Sequence, residues 1–475
     1  MNQQTWCLNN LATMSAKKFA DEYKYSNPRV LSHQYLKIIK EITTGEEQKR
    51  LVKEYNAWKR SEDYEKYWNE KTKDLKDRNG TESKVEEKEE NKESDKEDQK
   101  QEKKTSINSS QSKSNKKLTA AEKQRVLSNY AAIPENQFWY LSTGTCVNEK
   151  MKQLVELSVF EHPVHSLIFD PDDQIWLEYF SVDELDEIRT FKQKPLQELP
   201  TDLQNCLDIY DKQWKDGVEL YQFASSQQFH PINDFEKNWV RESMMQVAKL
   251  FLSGTSRSME SMSEADQLHH LWSFVYHLYD ISEIKALLGE RSSGATSFAR
   301  NQSRSLEVSN TRIRKNIGAK LDILYKWYSN EVGSCEVGKN DVESTDDKYI
   351  NDGLMKLPKT LKDMLCVLQR ENPEKVSSLK SIGLLIMGNK LELIVMDVPV
   401  GNHISRISRT MPFGFPSSIE QVNTNFLPLL ELAWKGKQAM EELVAVLKNR
   451  KRKAVELRST AITKSNMPFT LYREK

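Results

Sequence analysis

Two acidic residues interrupt apolar, strand-like sequence in this chain. Asp322 sits between Leu321 and Ile323 in AKLDILYKW, and Glu336 sits between Cys335 and Val337 in EVGSCEVGK. A carboxylate inside an apolar strand costs free energy unless a cation or a hydrogen-bond donor compensates it. Two of them on paired strands can converge on one spot. Hard oxygen ligands of that kind suit Mg2+ or Mn2+, which take a few carboxylates and keep several waters. Such an ion can hold a substrate phosphate and activate a bound water. The plain alternative is an edge hairpin whose polar side faces water. Glu331 differs in parity from Glu336, points to the other side of the strand and is left outside the site.

The elements around this hairpin must position it. Upstream, NDFEKNWVRESMMQVAKLFLSG places Phe235, Trp239, Met244, Val247, Ala248 and Phe251 on one helical face over 233–252. A helical stretch over 263–280 carries His269, His270 and His277, read as packing residues because lone histidines seldom ligate without a third fixed ligand. An apolar run at 284–288 ends in Gly289-Glu290. After the hairpin, a long amphipathic helix is expected over 344–370, kinked or split at Pro358. Three apolar strands follow, SIGLLIM, LELIVMDV and HISRISR, then a closing helix over 425–453. Before all of this, residues 119–232 form a mixed block. It offers strands at 166–169 and 175–180 about a turn at Asp170-Pro171-Asp172-Asp173, and a capping box at Ser181 and Glu184. His162 and His165 flank Pro163 and are read as structural.

Taken in order, Asp322, a spacing of fourteen, Glu336 and then Lys339 resemble the PD-(D/E)XK nuclease-like superfamily, in a poorly characterised branch with a degenerate motif lysine. The preceding helix, the Gly289-Glu290 pair, Gly318-x-x-x-Asp322, the lysine-containing helix and the further strands fit its core order. The similarity covers about 233–434, and the segment HPVHSLIFDPDDQIWLEYF resembles what precedes that core. The resemblance implies an α/β fold with a central mixed β-sheet flanked by helices, a restriction-endonuclease-like core. It also implies Mg2+-dependent cleavage of phosphodiesters. On its terms Asp322 and Glu336 are metal ligands and catalytic residues, Glu290 is the carboxylate from the upstream element, and Lys339 is the catalytic lysine. The motif lysine should fall two residues after the acid, where this chain has Gly338. Lys339 is one residue late and, in a regular strand, points to the other face. A bulge at Gly338 could restore it, or Lys348, Lys356 or Lys359 could reach in from the next helix.

The chain has 475 residues, with 70 basic and 70 acidic side chains and no net charge, so any nucleic-acid binding must come from a local patch. Residues 1–70 read as a helical segment, with Leu36, Ile39, Ile42, Leu51, Tyr55 and Trp58 at helical spacing. The window 71–118 holds 14 Lys or Arg, 12 Asp or Glu and four aliphatic residues, and reads as a disordered mixed-charge linker. The nuclease-like core is expected over 233–453, with 454–475 as a tail. Five scattered cysteines, with no CxxC pair, fit a reducing intracellular compartment. The N-terminus has no secretory signal, and no run of 18 apolar residues marks a membrane span. Lys448, Arg450, Lys451, Arg452 and Lys453 form a cluster suited to nuclear import, to phosphate contact or to a solvated helix end. Arg312, Arg314, Lys315, Lys320, Arg406 and Arg409 would add phosphate contacts.

The expected activity is metal-dependent phosphodiester hydrolysis on nucleic acid, DNA before RNA. The competing expectation is a catalytically inactive module that serves as a protein-interaction scaffold, with protein partners met through the N-terminal helices. The glycine at 338 favours the second.

Overall fold

The computed structural model describes most of residues 6–68 and residues 117–252, 262–302, 315–339, 350–449 and 467–472. The expected linker over 71–118 lies outside the described residues through Lys116, as do Arg312, Arg314, Lys348, Arg450, Lys451, Arg452 and Lys453. The chain divides into two compact units, with the boundary after Ser110.

The N-terminal unit is helical. Helix α1 (Ala16–Glu22) is capped by Ser15, whose side chain accepts from the Lys18 amide, and α2 spans Gly45–Lys59. Ile39, Leu51 and Tyr55 are buried with Phe19 and Tyr35, and Trp58 packs partly buried against them. Ile39, Leu51, Tyr55 and Trp58 belong to the helical pattern read from the sequence.

The larger unit is α/β. It opens with α3 (Ala120–Ala131), α4 (Val147–Leu157), a two-residue strand β1 (Ile168–Phe169) and α5 (Val182–Thr190), which begins in the Ser181–Glu184 capping box. Next come α6 (Thr201–Asp208), α7 (Gly217–Ser226), α8 (Phe235–Leu250), α9 (Glu264–His270) and α10 (Phe274–His277). Then follow β2 (Lys285–Ser292), α11 (Gly294–Arg300), β3 (Lys320–Trp327), β4 (Asn330–Gly338), a π-helical turn (Ile350–Lys356) and α12 (Leu357–Glu371). The remaining elements are β5 (Ser381–Met387), β6 (Lys390–Asp397), β7 (Ser405–Arg409), β8 (Phe413–Gly414) and α13 (Leu427–Lys448).

The strands form one mixed sheet in the order β1-β7-β6-β5-β4-β3-β2, with β8 also on β6. β4 runs parallel to β5 and β1 parallel to β7, and the other pairs are antiparallel. Helices cover both faces. Gly383, level with Ser334, faces Leu357 and Leu361 of α12, and Gly333, one residue earlier on β4, faces Met440 of α13. The result is three layers, with α12 lying over the face that carries Ser334 and Glu336.

Several local expectations change. Residues 175–180 are not a strand. Gln174–Glu178 is a 3-10 turn, opened by Asp173 accepting from the Ile175 amide at 3.1 Å. Trp176 is fully buried there, stacked on Phe169 with ring centroids 4.4 Å apart. The aromatic anchor, not a strand period, explains the apolar run. The stretch 263–280 breaks between α9 and α10, so His270 and His277 lie on different helices. Residues 350–356 widen into a π turn before Pro358 enters the first turn of α12, where its missing amide breaks no helical bond. α6 and α7 pack with α8 in the larger apolar cluster, which also takes in Ile168, while most of the buried residues from Val126 to Ile188 form a second cluster with Ile404 and Leu471.

Residues 467–472 run along α12 as a strap. Asp363 accepts from the Thr470 amide at 3.0 Å and from the Tyr472 hydroxyl at 2.5 Å. Lys359 donates to the Leu471 carbonyl, and Cys366 Sγ lies 3.5 Å from the Pro468 carbonyl.

Candidate functional site

The β3–β4 register pairs Ile323 with Cys335 and Leu324 with Ser334. One step further, Asp322 lies across from Glu336, and cross-strand partners share a face. Asp322 Oδ2 accepts from the Val337 amide at 2.8 Å, which ties the carboxylate to β4. On its other side Asp322 meets an irregularity in β2. Leu288 pairs with Ile323 and Arg291 with Leu321, so Gly289 and Glu290 together oppose Asp322. Both adopt positive φ, 87° and 51°, a bulge that glycine makes accessible. Glu290 is solvent-exposed and ion-paired with Lys320 at 2.7 Å.

Glu336 is 2% exposed. Its Oε2 accepts from Lys356 Nζ at 2.5 Å, and its Oε1 is buried with no hydrogen-bond partner. Lys356 ends the π turn at the start of α12, and its side chain is 39% exposed. Burial pushes the Glu336 carboxyl up, and the Lys356 ammonium in contact with it pulls the other way and favours the carboxylate. Burial also raises Asp322, opposed by the Val337 amide and by Lys356, while Glu264 and Asp352 add negative potential. The Lys320 ammonium beside Glu290 lowers that carboxyl, and Lys356 contributes from further away. Lys356 therefore acts on all three acids named from the sequence.

Lys339 is exposed, one residue past β4. Its backbone amide donates to Glu264 at 3.2 Å and its carbonyl accepts from Gln267 at 3.0 Å. The ammonium that bonds Glu336 belongs to Lys356, not to Lys339. Lys359 points elsewhere, to Glu161 at 2.7 Å and to the strap.

A third acid on the same face escaped the sequence reading. Glu336 is level with Leu385 and Leu385 with Glu392, so Glu392 stands two strand spacings away, about 10 Å. It is 7% exposed and lies 3.4 Å from Arg409 Nη1. Its signal was present: Glu392 lies between Leu391 and Leu393, as Asp322 lies between Leu321 and Ile323. Arg409 also holds Asp170 at 2.8 Å and the Gly353 carbonyl at 3.0 Å. It thereby fixes the turn that delivers Lys356. Arg406 is fully buried, paired with Asp397 at 2.6 Å and donating to the Ile188 carbonyl at the end of α5. Neither arginine is a surface phosphate contact, which corrects the expectation for both. Lys315 and Lys320 remain exposed.

Among the described residues, no three His, Cys, Asp or Glu side chains stand close enough together to enclose a metal ion. Asp322 and Glu336 nevertheless suit a hard divalent ion that keeps most of its water: two carboxylates, one with an orphaned buried oxygen. Among the described residues no helix is long and apolar enough to cross a membrane. In comparisons with known proteins, no family model, no curated protein and no solved structure matches this chain.

Proposed function

We propose that this is a metal-dependent, nuclease-like protein that hydrolyses phosphodiester bonds in nucleic acid, DNA before RNA. The observation that carries this reading is the convergence of Asp322, Glu336 and Lys356 on one sheet face, with Glu336 Oε1 left without a partner. The order of helix α8, strands β2, β3 and β4, helix α12 and strand β5 supports a restriction-endonuclease-like core, since that order is the one the sequence resemblance implied.

Asp322 and Glu336 would hold Mg2+ or Mn2+, with Glu290 assisting from the bulge. The ion would polarise a phosphoryl oxygen and lower the pKa of a bound water. Asp322, fixed by the Val337 amide, sets the position of the carboxylate pair. Lys356, at the open edge of the site, supplies positive charge where a phosphorane builds up negative charge. It takes the role that Gly338 cannot fill. Lys315, Lys320 and Lys339, all exposed, would contact the polymer backbone. A nuclear, intracellular location belongs to the same proposal and rests on the basic cluster that starts at Lys448.

One observation favours the inactive scaffold instead. The Glu336 charge is already met by Lys356, so its burial does not require an ion. Nicking of supercoiled plasmid in Mg2+ separates the two. The nuclease reading predicts cleavage by the wild type and a loss of about 100-fold or more in Asp322→Ala. Equal rates, or no cleavage by either protein, would remove the enzyme and leave the scaffold.

A further inference from the structure

We propose that Lys356 is a tethered competitor for the cation site, holding Glu336 until a divalent ion displaces its ammonium. This deepens the nuclease reading and rests on it for the identity of the ion.

Three observations carry it. Glu336 offers only two oxygens; Lys356 takes one at 2.5 Å and the other is buried without a partner. An ion at Asp322 and Glu336 must therefore share the carboxylate with an ammonium already in contact with it, and like charges at such range repel strongly. Second, Lys356 has somewhere to go. Its side chain is 39% exposed whereas that of Glu336 is 3% exposed, so the lysine can swing to solvent while the acid stays. Third, the swing need not disturb the backbone. The turn is pinned three residues earlier, where Arg409 donates to the Gly353 carbonyl at 3.0 Å, and α12 begins at the next residue. The displaced ammonium remains tethered at the mouth of the site, within reach of a phosphate arriving with the ion.

The same surroundings explain why one lysine can act as the competitor. Glu264 and Asp352 add negative potential around Asp322, and Glu290 lies within electrostatic reach of Lys356. Acidic groups thus outnumber the ammonium, and removing it leaves the site more negative, not empty of charge.

The test is Mn2+ binding followed by electron paramagnetic resonance, with thermal melts in parallel. Lys356→Met should bind Mn2+ about tenfold or more tightly than wild type, and Lys356→Arg, which keeps the charge, should not. Mn2+ should also raise the melting temperature of Lys356→Met more than that of wild type. The double variant Glu336→Gln with Lys356→Met folds without a buried charge at this position and should lose the tight binding. Affinity in Lys356→Met equal to or weaker than wild type overturns the competition. If the wild type cleaves DNA while Lys356→Met binds no tighter, the competition fails and the nuclease reading stands. If Lys356→Met binds tighter but no protein cleaves, the competition stands and the nuclease reading fails.

Discussion

Lys356 and Glu336 meet across twenty residues of chain, from the start of α12 to the far half of β4, with Nζ 2.5 Å from Oε2. The two ends of the pair are unequal: the carboxylate is buried and the ammonium reaches solvent. Lys356→Met strands the carboxylate. The expected loss of stability is about 2 kcal/mol, below the cost of breaking a wholly buried pair because water already reaches the lysine. Neutralising both partners, in Glu336→Gln with Lys356→Met, should restore most of it. Urea denaturation at neutral pH without divalent ions measures both, and an unchanged midpoint in Lys356→Met would show the pair to be energetically silent.

Arg409 holds a second pair of carboxylates, Asp170 and Glu392, and both are under one-tenth exposed. Arg409→Met should therefore destabilise the protein by about 3–5 kcal/mol. Because Arg409 also donates to the Gly353 carbonyl, amide exchange should rise over 350–356 beyond what global destabilisation explains. Calorimetry and hydrogen exchange check the two effects, and protection at 350–356 that falls only in step with the whole protein would contradict the positioning role.

Two buried histidines set an acid limb of stability. Burial pushes both His165 and His403 down to about 4, and His403 Nδ1 has no hydrogen-bond partner. Between pH 4 and 6.5 the unfolded chain binds protons that the folded chain does not, so each histidine makes stability rise with pH across that window. Each contributes on the order of 3 kcal/mol by pH 6.5 and above. His403→Gln should flatten the slope between pH 4 and 6.5, read from melting temperatures at half-unit steps. A slope identical to wild type would mean that His403 titrates normally.

Asp363 acts with the opposite sign. Burial lifts it to about 6, partly offset by donors from Tyr472 and Thr470. Between pH 3.8 and 6 the folded state holds the proton more tightly, so this group makes stability fall as pH rises. Asp363→Asn should steepen the net rise that the histidines produce. Tyr472→Phe removes one charged-acceptor hydrogen bond and should cost about 1.5–3 kcal/mol above pH 6, with less loss toward pH 4, where Asp363 is protonated in the folded state. Melts of both variants across pH 4–7 decide it, and a Tyr472→Phe loss independent of pH would contradict the coupling.

How much of this could be read in the sequence depended on whether a feature was local. The β3–β4 hairpin, the Ser181–Glu184 capping box, α8 and α13 rest on periodicity and turn chemistry within a few residues, and they appear where expected. The pairing of Asp322 with Glu336 followed from the same hairpin. The lysine was narrowed only to Lys339 or one of three on the next helix, because the position of Lys356 depends on how a π turn enters α12 and not on its offset from Glu336. Arg406 and Arg409 looked like surface cations. The strand that bears them pairs with β6 and with β1, a segment more than 230 residues earlier, and this buries both side chains. The stretch at 175–180 read as a strand because Trp176 and Phe180, the buried residues of an apolar run, anchor a turn in the interior.

Calorimetric titration of Mg2+ into wild type and Glu336→Gln is the decisive comparison for the Asp322–Glu336 centre. A cation centre predicts saturable binding of about one ion by the wild type and its loss in Glu336→Gln, with both proteins folded. Heats that match in the two proteins, or no saturable binding by either, would contradict it and reduce the carboxylate pair to a structural contact with Lys356.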